Sequence, residues 1–262
     1  MPKTSELTGL EAKIYSFASK ARKGIITMDI IDSWGLAKKS VLKVVLSKMV
    51  RKGLLMRLKK GVYAFQPLGA RGMVGDVFEA GSEIFGGYIG FATALNIYGL
   101  MDEVPFTVYV VTVNKSGRRE LGQYEIKAVA MGKRAVGTTE YNGIFISTIP
   151  KTIYDCLHIP EYGGGYPKIL KAISLAEMDA EGWEEFLGYA ERFGSAAFCQ
   201  KIGYLLERMR DYTGIAVPEF VLERLHKKVK STVRIGEERG KYNAKWKVSD
   251  GFREEELFGW WY

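Results

Sequence analysis

The stretch that decides the fold is Ala37–Phe65, AKKSVLKVVLSKMVRKGLLMRLKKGVYAF. Its first half places Val41, Leu42, Val45, Leu46 and Met49 at helical spacing and ends on Gly53, so a helix is expected from about Ala37 to Lys52. Its second half holds two short apolar runs, Leu54 to Leu58 and Val62 to Phe65, around the basic turn Lys59-Lys60-Gly61, the pattern of a hairpin. Upstream, Leu10, Ile14, Phe17, Ala18 and Ala21 mark a helix from Thr8 to Ala21, with Thr8 as N-cap and Gly24 as its end. A short helix follows from Thr27 through Ile30, Ile31 and Trp34, and Gly35 supplies a tight turn. Two short helices, a glycine turn, a longer helix and a hairpin spell a winged helix-turn-helix over residues 1–67.

The long helix carries Lys38, Lys39, Ser40, Lys43, Ser47, Lys48, Arg51 and Lys52, and the hairpin carries Arg57, Lys59 and Lys60. Donors of this kind on a helix lying in the major groove neutralise phosphates and reach base edges, while a wing contacts the adjacent backbone. Double-stranded DNA is therefore the expected partner, with Lys38, Lys39, Ser40, Lys43, Ser47, Lys48, Arg51, Arg57, Lys59 and Lys60 as its contacts. A formal charge of +8 agrees with a polyanionic partner.

Beyond a glycine-bearing linker at Pro67 to Gly75, the remaining chain reads as an α+β domain over 76–262 with a helical C-terminal half. Helices are expected at Val77 to Phe85 and Gly90 to Leu100, and strands at Phe106 to Val113, Glu125 to Val129 and Ile144 to Ser147. Further helices follow at Lys151 to His158, Tyr166 to Met178, Trp183 to Phe193, Ala196 to Asp211 and Pro218 to Val229. Gly163-Gly164-Gly165 lacks the Gly-Lys-Ser/Thr ending of a phosphate loop and reads as a flexible connection. In the tail, Tyr242, Trp246, Phe252, Phe258, Trp260, Trp261 and Tyr262 alternate with Lys241, Lys245, Lys247 and Arg253. Such aromatics either dock on the protein's own core or stack on bases, and Glu254, Glu255 and Glu256 weigh against phosphate contact by the last segment.

Two cysteines far apart, Cys156 and Cys199, and two histidines, His158 and His226, have no metal-ligand spacing, so no metal and no cofactor is expected. Cys156 sits among apolar neighbours and reads as a core filler. The start Met1-Pro2-Lys3-Thr4-Ser5-Glu6 lacks the apolar core of a signal peptide, and the longest uncharged stretch, Gly86 to Met101, is too short and glycine-rich to cross a bilayer. These features point to a cytoplasmic protein with no membrane partner. Scarce Asn and Gln beside plentiful Lys, Arg and Glu resemble the composition of hyperthermophiles.

The helix-turn-helix, together with Phe91-Ala92-Thr93-Ala94-Leu95-Asn96-Ile97-Tyr98-Gly99-Leu100, Pro105 and Val108-Tyr109-Val110-Val111-Thr112, resembles the abortive-infection type IV antitoxins. Ile146-Ser147-Thr148 with Lys151-Thr152-Ile153-Tyr154-Asp155 looks like a helix start of that family, with Lys151 where an arginine is common. The resemblance covers roughly the first 175 residues. It implies a winged-helix repressor of its own operon joined to a domain that counters a toxin partner. The aromatic tail departs from the family pattern. More loosely, a basic protein of this build is similar to archaeal hyperthermophile winged-helix lyases that cleave abasic DNA.

A metal-free lyase needs a lysine amine that attacks the sugar aldehyde, forms a Schiff base and promotes β-elimination. At about 100° per residue, Lys52 lies roughly 50° from the centre of the apolar stripe and Lys48 roughly 90°. Lys52 is thus the candidate nucleophile and Lys48 the second choice, acting on abasic duplex. The opposing expectation is that Lys52 turns outward along the helix dipole. The leading expectation at this point is a metal-free abasic-site lyase acting in DNA repair, and the alternative is an antitoxin-like transcriptional repressor binding operator DNA.

Overall fold

Thr8 starts the first helix by a reciprocal arrangement. Its hydroxyl accepts from the Glu11 N–H at 3.4 Å, and the Glu11 carboxylate accepts from the Thr8 N–H at 2.8 Å. In this computed structural model, residues 7–68, 75–103, 106–236 and 240–261 are described. The expected linker's central residues 69–74, Pro105 and Tyr262 lie outside the described residues, as do residues 1–6. The chain forms two compact units, one of residues 1–88 and 106–131, the other of 89–105 and 132–262.

The first unit begins with α1 (Gly9–Ser19), β1 (Ile25–Thr27), α2 (Met28–Ser33), α3 (Lys39–Arg51), β2 (Leu55–Lys59) and β3 (Val62–Phe65). The helix expected from Thr27 is α2, and the Thr27 hydroxyl caps it by accepting from the Ile30 N–H. β1 was not foreseen: its three residues pair antiparallel with β3, giving a three-stranded sheet in the order β1-β3-β2. Ile14, Ala18, Ile26, Ile31, Leu42, Leu46, Met49, Leu54, Leu55 and Tyr63 close over this sheet as one core. The unit continues with α4 (Val77–Phe85), the start of β4 (Tyr88–Ile89), β5 (Thr107–Thr112), β6 (Gly117–Leu121) and β7 (Tyr124–Ala130). β5 and β7 run parallel and β6 pairs antiparallel with β7. Gly81 lets α4 press onto this sheet, since a Cβ there would stand 3.2 Å from methyl groups of Val110 and Ile126.

In the second unit α5 (Phe91–Ile97) is buried over residues 91–95, as its small side chains require. β8 (Thr138–Tyr141) and β9 (Ile144–Ser147) form a hairpin whose turn residues Asn142 and Gly143 both have positive φ, 49° and 72°. Ile89 of β4 pairs with Ile146 of β9. Six helices follow: α6 (Ile149–His158), α7 (Tyr166–Ala176), α8 (Ala180–Phe193), α9 (Ala196–Thr213), α10 (Glu219–His226) and, last, α11 (Glu254–Phe258). Between α10 and α11, β10 (Val233–Ile235), β11 (Lys241–Asn243) and β12 (Val248–Asp250) make a small sheet in the order β10-β12-β11. α6 is the central helix, touching α5, α7 and α8, with residues 150–157 buried.

Two expectations for this unit change. Gly163-Gly164-Gly165 is a tight turn rather than a loose loop: Gly164 and Gly165 have φ of 81° and 87°, and a Cβ on Gly163 would stand 2.7 Å from that of Cys156. The tail aromatics divide between core and solvent. Trp246 and Phe258 are fully buried, whereas Tyr242 and Trp261 are exposed. The Trp246 ring covers Gly203, and its Nε1 donates to Glu207 at 2.6 Å.

Candidate nucleic-acid interface

α3 is amphipathic, and its buried line is Leu42, Leu46 and Met49. Val41, expected in that line, is exposed, because one residue of helical rotation carries it about 100° away from Leu42. The outward surface holds Lys38, Lys39, Ser40, Lys43, Ser47, Lys48 and Arg51, all exposed, and α3 contains no acidic residue. Lys39 is the one of these with an ion pair among the described residues, at 3.6 Å from Asp29 of α2. Lys48 and Arg51 in its last turn complement the helix dipole, so the exposed charge also serves the helix.

The wing follows directly. β2 and β3 pair through Arg57↔Tyr63 and Lys59↔Val62, with a bulge that sends Leu58 into the core. Gly61 has φ of 79°, and its carbonyl accepts from the Met28 N–H at 2.7 Å, tying the wing turn to the start of α2. Arg57 and Lys60 are exposed. Lys59 is half-buried and is turned to α4, donating to the Glu83 carbonyl, with the Glu83 carboxylate 3.8 Å away. Arg119 of β6 supports the same strand, donating to the Leu58 carbonyl and, at 3.3 Å, to that of Arg57. Of the ten residues expected on DNA, nine thus share the exposed surfaces of α3 and the wing, and Lys59 serves an internal contact.

Lys52 behaves differently from its neighbours. It caps α3 and leans inward, and its Nζ donates to the buried Glu11 carboxylate at 2.7 Å. Burial pushes the Glu11 carboxyl up, but hydrogen bonds from Lys52 and Thr8 outweigh it and leave the group below its ordinary range. Lys52 therefore staples α1 to the end of α3. Lys48, the second-choice nucleophile, is exposed on the outer surface.

A separate polar group lies inside the second unit. Lys151 and Asp155 are both fully buried on α6 and form an ion pair. The Lys151 ammonium stands 5.7 Å and 5.6 Å from the ring centres of Tyr154 and Tyr189. Burial lowers the Lys151 pKa against the pull of Asp155, and raises that of Asp155 to about 6 against Lys151 and Arg134. His158, lowered by burial, stacks on Tyr154 with ring centres 5.9 Å apart. Asp155 is thus engaged by Lys151 within the core, and the half-buried His158 by the Tyr154 ring. Cys156 is fully buried, and burial pushes its thiol well up, as suits a packing residue. A cleft of about 570 Å³ between α9 and the tail is lined by both cations and carboxylates, and Arg208 pairs with Asp250 there. Among the described residues no group of three or more His, Cys, Asp or Glu could hold a metal ion, and no helix is long and apolar enough to cross a membrane.

A tri-helical core, a three-stranded sheet and a basic outer helix beside a hairpin, from Gly9 to Phe65, make the N-terminal region a winged helix-turn-helix within an α+β protein. Residues 14–66, about a fifth of the chain, match the family model described as transcriptional regulator, AbiEi antitoxin. Among curated proteins, none matches. Among solved structures, the chain is similar to the RV2827C protein from Mycobacterium tuberculosis, with a TM-score of 0.61 and 14% identity over 94% of this chain and 92% of that one. At that identity the likeness concerns the fold alone, and it spans both units.

Proposed function

We propose that the protein is a DNA-binding transcriptional regulator of the antitoxin type, which places α3 in the major groove and the wing on the flanking backbone. The observation that carries this reading is an acid-free, exposed, basic α3 inside a segment that matches the regulator family model. Residues 1–67 are the DNA-reading domain, with Lys38, Lys39, Ser40, Lys43, Ser47, Lys48, Arg51, Arg57 and Lys60 as its contacts. Lysines at the helix flanks meet phosphates, and Arg51 and the serines reach base edges. The rest of the chain, on this reading, offers its surface to a toxin partner, as the family description implies.

The same observations favour the regulator over the abasic-site lyase. The match backs a regulator, and the amine first assigned to Schiff-base chemistry is committed to Glu11. The test is a mobility-shift titration with DNA flanking the protein's own gene against a shuffled duplex of equal composition. A sequence reader prefers one site by about a thousandfold or more, with affinity falling steeply as salt rises. Equal binding to every duplex overturns the regulator. A borohydride-trapped covalent complex on an abasic duplex in chelator would install the lyase in its place.

A further inference from the structure

The outward surface of α3 has an internal order. At about 100° per residue, Ser40, Val44, Ser47 and Arg51 all lie about 140–180° from Leu42, forming the line that points straight away from the core. Lys43 and Lys48 flank that line on opposite sides, each about 100–120° from Leu42. Val44 is the most exposed apolar side chain on the helix, at 56%, with Val41 beside it at 44%. A surface helix that served solubility alone would carry lysines along the midline; here they stand at the flanks, and the midline runs through Ser40, Val44 and Ser47 to a single cation, Arg51, at its end.

That order matches the cross-section of a major groove. Its walls are phosphates, which take the lysines, and its floor is base edges, where the apolar feature is the C5-methyl of thymine. We propose that Val44 is a specificity-determining residue that packs on the C5-methyl group of a thymine in the bound duplex. The inference rests on the regulator reading above, because it needs α3 in the groove. Charge complementarity supplies the argument for the occupant, since α3 is free of acidic residues and Asp29 of α2 is drawn to Lys39. Ser40 and Ser47, which donate or accept, complete the floor-facing line without fixing a base, and Arg51 suits a guanine.

The test uses the full chain and a duplex recovered from a random pool by repeated binding. Each thymine is then replaced in turn by uracil, which removes only the methyl group. At one thymine per bound module, uracil weakens wild-type binding about fourfold, the worth of one buried methyl. Val44→Ala binds the thymine duplex about as weakly, and is indifferent to the uracil exchange. Val44→Thr keeps a γ-methyl and keeps the dependence. Because Val44 is exposed, its variants fold, which unchanged melting verifies. Uracil tolerated at every position, or methyl dependence surviving in Val44→Ala, overturns the proposal while leaving the regulator in place. Failure of the pool to yield any preferred sequence overturns both.

Discussion

Adjacent residues Arg51 and Lys52 carry opposite expectations. Lys52→Ala removes the cation that faces Glu11, a carboxylate whose side chain is 2% exposed. Breaking a fully buried ion pair by deleting one partner costs about 3–5 kcal/mol. Lys52 retains 26% of its side-chain exposure and Glu11 keeps its contacts with Thr8, which screens and shares the charge, so about 2 kcal/mol is expected. In a unit of this size that loss lowers the melting temperature by on the order of 10 °C. DNA affinity, measured where the fold is intact, stays within about twofold of wild type. Arg51→Ala reverses the pattern, with stability changed by less than about 0.5 kcal/mol and affinity lowered about tenfold. Chemical denaturation followed by hydrogen exchange of α1 and α3, paired with fluorescence-anisotropy titration on the recovered duplex, reads both quantities. Glu11→Leu with Lys52→Met should recover most of the lost stability, because the desolvation cost vanishes with the charges. A Lys52→Ala protein as stable as wild type but unable to bind DNA would refute the staple.

Other outcomes follow from the same structure. Because Glu11 titrates below its ordinary range, its contribution to the first unit is fully present above about pH 4.5 and lost as pH falls through the folded value; exchange rates of α1 amides in acid should show this, and Glu11→Gln should abolish it. Lys151→Met and Asp155→Leu should each destabilise the second unit by about 3–5 kcal/mol, and the double variant by far less than their sum, as judged by urea melts. Gly203→Ala drives a methyl into the Trp246 ring and should cost about 1–3 kcal/mol, seen as a lower urea midpoint with unchanged DNA affinity. Lys43→Ala and Lys60→Ala should each reduce the slope of log affinity against log salt by about one, uniformly across sequences.

What could be read from residues alone was whatever depended on local spacing. Thr8 and Thr27 as caps, the glycine turn, the helix ending at Gly53 and the Lys60-Gly61 hairpin are all decided within a few positions. β1 escaped because Ile25–Thr27 is a strand only by pairing with β3, nearly forty residues later. β6 and β8 escaped because Gly117–Leu121 and Thr138–Tyr141 each hold one large apolar or aromatic residue, Leu121 and Tyr141, at the strand end, too few to show an apolar alternation in the sequence. The β8–β9 hairpin carried a signal that was there to use, Asn142-Gly143 between two runs. At the interface, the basic residues of α3 were legible, but the partners of Lys52 and Lys59 lie 41 and 24 positions away and no spacing rule reaches them. Val44, which the apolar stripe already left out, needed the structure to show how far it stands in solvent, at 56%.

The guanidinium of Arg119 on the carbonyls of the wing strand, with Lys59 anchored on α4 and Gly61 on α2, makes the wing a braced cantilever. Its backbone freedom is surrendered when the first unit folds, so an encounter with a duplex needs to immobilise only the tip around Lys60. On the proposed regulator reading, such a wing acts as a rigid template: the duplex, being the more compliant body, does the bending, and sites rich in flexible steps gain occupancy through their own elasticity.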